Sequence, residues 1–142
     1  MAAKDIQVDQ KFPQYNCAQT VFSLHARELG LDETTALRIA SGFGGGMACA
    51  ETCGAVTGSY MVIGMKHGHT STNADDKALT KSRIQQFNKE FKAKHGSLIC
   101  KELTGFDIST PDGAQDAGAE DVFHKKCPHF IKTACQIIEE HF

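Results

Sequence analysis

The stretch "GFGGGMACAETCGAVTG", residues 42–58, holds six glycines and two cysteines in 17 positions. It separates two helical patterns from a third, so its reading decides the fold. A Walker A loop needs Lys and Ser/Thr after its last glycine, and neither is there. A dinucleotide fingerprint needs a strand and then G-x-G-x-x-G. Counted from Gly42 or Gly44 the last glycine is missing, and no strand pattern precedes it. What fits is a tight turn that delivers Cys53 to a helix start and offers backbone N–H groups to sulfur.

The helix beyond this turn is expected to begin near Glu51 or Thr52 and to end near Gly64 or Gly68. Gly54 and Gly58 share one of its faces. An interior glycine costs a helix about 1 kcal/mol relative to Ala, so two on one face call for close approach of a backbone or a cofactor. Ala55, Val56, Tyr60, Met61, Val62, Ile63 and Met65 make the helix apolar nearly all round, which places it at the centre of the domain. Upstream, Asn16 caps a helix closed by Gly30, and Asp32 caps another that stops at Gly42. Downstream, Asp75 or Asp76 opens a helix to about His95, with Ile84, Phe87 and Phe91 on its apolar face and a Glu90–Lys94 pair outside. "SLICKELTG" is a short helix stopped by Gly105. Residues 106–120 are expected to be a polar, mobile loop. The last helix starts at Cys127-Pro128 and carries Cys127, Ile131, Cys135, Ile138 and Phe142 in one stripe. The single Asp-Gly, Asp112-Gly113, lies in polar sequence and makes no hairpin. The fold class expected is all-α: a single domain, residues 1–142 with its core at about 15–140, built as a bundle of five to six helices around the central Gly/Met-rich helix.

Composition bounds the function. The chain of 142 residues has a net charge of −2, with 41% hydrophobic and 23% charged residues. These values suit a globular domain and leave no footprint for nucleic acid. No apolar run approaches the roughly 18 residues of a membrane span. "MAAKDIQVDQKF" has no apolar core of a signal peptide, so a cytoplasmic setting is expected. There, six cysteines point to metal, redox or catalytic use rather than structural disulfides.

Three cysteines fall at expected helix starts: Cys17 after its cap, Cys53 in a first turn and Cys127 at a cap. Helix N-termini favour negative charge, so these thiols are expected to have lowered pKa values. Cys100 precedes Lys101, and Cys127 follows Lys125 and Lys126. Cys135 continues an apolar stripe and reads as core. Cys49, four residues before Cys53, is either its local partner or incidental. There is no C-x-x-C, no C-x-x-C-H and no zinc-finger spacing. The candidates at 17, 53, 100 and 127 are dispersed, as in sites assembled from several helices. His67 and His69 read as solvated, His129 as exposed and His25 as half-buried and satisfied. No Ser-His-Asp arrangement or hydrolytic carboxylate pair is visible.

Four segments, "NCAQTVF", "LRIASGFGGGMACAETCGAVTGSYMVIGM", "CKELTGFD" and "CPHFIKTACQIIEE", together resemble the C_GCAxxG_C_C family of redox-active proteins, over about residues 15–140. The label's Gly-Cys-Ala-x-x-Gly stands here as Cys53-Gly54-Ala55-Val56-Thr57-Gly58, with Cys and Gly exchanged. The resemblance implies that Cys17, Cys53, Cys100 and Cys127 are the family cysteines and that Cys49 and Cys135 are extras. It also implies an anaerobic source. A related domain occurs in split-Soret cytochromes with haem and a candidate iron–sulfur centre. The haem motifs are absent here, so the haem does not carry over. Three functions stay open. In the first, Cys17, Cys53, Cys100 and Cys127 bind a metal or an iron–sulfur cluster for electron transfer. In the second, metal-free thiol–disulfide chemistry uses Cys53 as nucleophile, with Cys49 or another family cysteine resolving. The third is a structural Zn²⁺ site or an interaction module. A redox partner protein is implied by the first two, and a homodimer is an open option.

Overall fold

The computed structural model describes residues 3–142. Among them are nine α-helical segments: α1 (Ala3–Lys11), α2 (Cys17–Ala26), α3 (Glu33–Ala40), α4 (Gly54–His67), α5 (Ala74–His95), α6 (Cys100–Thr104), α7 (Pro111–Ala119), α8 (Val122–Lys125) and α9 (Cys127–His141). The all-α class stands, and the count of five to six is corrected upward.

Local chemistry sets most boundaries. Asn16 closes a reciprocal capping box at the start of α2: its side chain accepts from the Gln19 N–H (2.8 Å), and the Gln19 side chain accepts from the Asn16 N–H (3.0 Å). Asp32 caps α3, and Asn73, rather than Asp75 or Asp76, caps α5. Gly30, Gly96 and Gly105 end their helical segments in the left-handed conformation. Glu90 pairs with His141 of α9 at 2.8 Å, so it ties two helices together instead of serving Lys94 on its own helix.

Three elements account for the larger helix count: α1, α7 and the single turn of α8. Among the described side chains of α1, Val8 alone is fully buried, and the helix is held from outside by Lys4–Glu28 (2.7 Å), Lys11–Glu33 (2.8 Å) and Lys132–Asp9 (2.9 Å). Most of segment 106–120, expected to be a mobile loop, is α7. Thr110 caps it by accepting from the Gly113 N–H (3.0 Å), Pro111 opens it, and Ala117 is buried against Val122 and Cys127.

The centre of the bundle is shared by α4 and α2. From Ala18 onward α2 is buried at every position but Gln19. The two helices touch backbone to backbone. A Cβ at Gly54 would stand 2.9 Å from the Ala18 nitrogen, and one at Gly58 would stand 2.9 Å from the Ala18 carbonyl oxygen. The neighbour that the paired glycines demanded is therefore a helix backbone. On the other side, α5 and α9 close the core with Phe87, Phe91, Ile131 and Ile138, each fully buried.

Candidate functional site

Each family cysteine begins a different helix. Cys17, Cys100 and Cys127 are the first residues of α2, α6 and α9, and Cys53 is the N-cap of α4. The capping box fixes Cys17. A short antiparallel bridge between Thr52 and Ile99 ties the segments that carry Cys53 and Cys100: the Cys53 N–H donates to the Leu98 carbonyl (2.8 Å), and the Cys100 N–H donates to the Glu51 carbonyl (2.5 Å). Cys127 is held by the turn of α8 and by the satellite core with Ala117 and Val122.

All four line one cavity of about 280 Å³, whose apolar walls come from Phe12, Leu103, Ile108, Phe123 and Phe130. The glycine run forms another wall. Gly46 is left-handed (φ 62°), and a Cβ there would overlap the Glu51 backbone nitrogen and stand 3.0 Å from the Cys100 Cβ. The conformation continues through Met47 (φ 60°), Ala48 (φ 60°) and again at Ala50 (φ 55°). Left-handed backbone costs a non-glycine residue about 1–2 kcal/mol, so strain is stored in the loop just beyond the cavity-lining Gly45 and Gly46.

Cys53, Cys100 and Cys127 are buried, and Cys17 is half-buried. The expectation of lowered thiol pKa values holds at one position only. Burial pushes the Cys53 thiol up to about 12, against the opposing effect of the nearby Ala55 and Val56 amides. Burial pushes Cys100 up to about 11, with the charge of Cys127 adding to it. Cys17 is raised well above the ordinary thiol value, first by its hydrogen bond to Cys127 and then by burial. Cys127 is lowered by that same hydrogen bond, with help from Lys126. Loss of water outweighs the helix N-terminus wherever the cavity wall is apolar. The charges of Cys53, Cys100 and Cys127 all act on Cys17, so the four thiols form one electrostatic unit.

Cys49 is exposed and donates to the Gly46 carbonyl (3.2 Å), outside the set of residues that line the cavity. Cys135 is core, 2% exposed. His129 is exposed and lies off the cavity. His67 bonds the Phe142 carbonyl (3.1 Å), and His69 bonds Thr80 (2.9 Å). His25 departs from the expectation of a half-buried, satisfied residue. It is 4% exposed, its Nδ1 bonds the Val21 carbonyl (2.9 Å), and its Nε2 has no partner among the described residues. The apolar walls were missed in the sequence because Phe12, Ile108 and Phe123 lie in segments too polar to read as core. Their signal was isolated large apolar residues inside polar sequence.

Among the described residues, no group of three or more Cys, His, Asp or Glu side chains is arranged so that it could hold a metal ion. A tetrahedral Zn²⁺ draws its thiolates to about 2.3 Å from one point. An iron–sulfur cluster takes four thiolates from around its own volume. Four thiols lining one cavity supply the donor set that such a cluster takes.

A helical domain that gathers four cysteines from four helix starts around one cavity has the makings of a sulfur-based redox protein. The chain belongs to the family described as "Putative redox-active protein (C_GCAxxG_C_C)", whose model matches residues 15–141. The comparison with curated proteins and that with solved structures found no match. Among the described residues, no helix is long and apolar enough to cross a membrane.

Proposed function

We propose that this protein is an electron carrier whose Cys17, Cys53, Cys100 and Cys127 hold one iron–sulfur cluster. The observation that carries the reading is that these four cysteines, spread over 111 positions of the chain, line a single cavity. The cluster would supply reversible one-electron chemistry that no side chain offers. The protein's own groups do the rest. The four sulfurs are the ligands, and binding iron displaces the protons that burial keeps on three of them. The amides of Ala55 and Val56, in the first turn of α4, favour negative charge on Cys53. Phe12, Leu103 and Phe130 exclude water, and Lys126 offsets negative charge at Cys127. A redox partner protein would exchange the electron.

The test is anaerobic purification followed by reconstitution with iron and sulfide. The reading requires about two or four irons per chain with matching sulfide and visible charge-transfer absorption. A colourless protein that retains no iron after careful reconstitution would refute it.

A further inference from the structure

Of the six cysteines, Cys17 and Cys127 are the two that meet in the satellite core. Cys53 and Cys135 belong to the main core, and Cys49 donates to the Gly46 carbonyl. The contact is built by the fold. Helices α2 and α9 pack directly on each other with their first residues together, and both cysteines pack into the satellite core with Phe12 and Phe123. Cys17 is half-buried and lines the cavity, so a small molecule can reach it.

We propose that Cys17 and Cys127 form a dithiol–disulfide couple, closed by a small-molecule disulfide, that switches the four-cysteine site off. The reaction is thiol–disulfide exchange. The sulfur of one member of the pair, as thiolate, attacks one sulfur of the small disulfide, forming a mixed disulfide and releasing one small thiol. The sulfur of the other then displaces the second small thiol and forms the Cys17–Cys127 bond. The two thiol protons leave on the two released thiols. The protein pair loses two electrons and the small disulfide gains them, so the step balances without oxygen or metal. The cross-link itself is independent of the cluster. Its consequence, the removal of two of the four ligands, rests on the reading proposed above.

The experiment uses the full-length, reduced, metal-free protein under anaerobic conditions with oxidised glutathione as probe, followed by alkylation in denaturant and peptide mapping. The expected result is loss of two alkylatable thiols and one linked peptide pair that joins the Cys17 and Cys127 segments. In Cys17→Ser and Cys127→Ser that link is absent and the remaining partner ends as a glutathione adduct. A Cys49–Cys53 link in its place, or six thiols still alkylated, would overturn the proposal. Reconstitution with iron and sulfide then separates the two readings. Cluster uptake by the reduced form and none by the cross-linked form supports both. A cross-link with no uptake by the reduced form keeps the couple but overturns the switch and the cluster reading. Uptake by the reduced form with no cross-link overturns the couple alone.

Discussion

Gly58 of α4 lies against Ala18 of α2 so closely that a single added methyl at Gly58 would stand 2.9 Å from the Ala18 carbonyl oxygen. Cys17 is the next residue along α2, and Cys53 caps α4. The contact that holds the two central helices together therefore also sets the spacing of two site thiols.

Substitution along α4 is expected to have opposite signs at two glycines. Gly58→Ala forces the helices apart and should cost about 1–3 kcal/mol through overpacking. At Gly64 a Cβ would meet nothing within 4 Å among the described residues, so Gly64→Ala should stabilise by about 1 kcal/mol through helix propensity. Urea midpoints of the two variants against wild type decide it. Equal shifts of one sign would contradict the backbone contact.

Asn16→Ala removes the side-chain half of the α2 capping box and the bond from the Asn16 side chain to the Ser41 carbonyl (3.1 Å), and leaves the residue-16 N–H free to donate to Gln19. A loss of about 1–2 kcal/mol is expected. Because Cys17 is the first residue of that helix, iron retention after reconstitution should fall as well. A variant that loses stability while keeping full iron would show that the cap does not position the sulfur.

These two predictions rest on features of unequal legibility. The caps at Asn16 and Asp32, the left-handed glycines at 30, 96 and 105 and the stripe of α9 are local rules, and the structure follows them. Helices α1 and α7 obey different physics. Each buries a single fully enclosed side chain, Val8 or Ala117, so neither carries an apolar stripe to read. The grouping of the family cysteines was accessible through motif resemblance. The bridge that ties the segments of Cys53 and Cys100 was not, since it depends on residues 51 and 98 meeting across the fold. The thiol pKa values went the other way from the helix-start argument at Cys17, Cys53 and Cys100. Burial by Phe12, Leu103 and Ile108 is a tertiary fact with no local signature.

The strained loop gives a third prediction. Ala48 is exposed and left-handed (φ 60°). Ala48→Gly should therefore relieve strain and raise stability by about 1 kcal/mol, or roughly 3 °C in Tm. Thermal unfolding of the metal-free protein checks this. A drop in Tm would mean that the loop does not hold this backbone in solution.

His25 sets a pH dependence. Burial lowers its pKa below the ordinary value of 6.5, and Lys4 and Lys66 act in the same direction against Glu28. The unfolded chain then binds the proton more readily than the folded one, so stability rises with pH in this window. The contribution is present above about pH 6.5 and is lost as pH falls from there through the folded-state value. Urea midpoints between pH 7.5 and 5 should decline, and His25→Leu should flatten that part of the profile. An unchanged slope in the variant would assign the decline to other groups.

The central claim is that four sulfurs serve one cluster. It is tested most directly by iron and sulfide content, with visible spectra, of anaerobically reconstituted wild type beside the single variants Cys17→Ser, Cys53→Ser, Cys100→Ser, Cys127→Ser and Cys49→Ser. The account predicts that wild type and Cys49→Ser carry a full cluster, while each of the other four loses most of its iron or shows an altered spectrum. Wild-type protein without iron, or a full and unaltered cluster in any of those four variants, would contradict it.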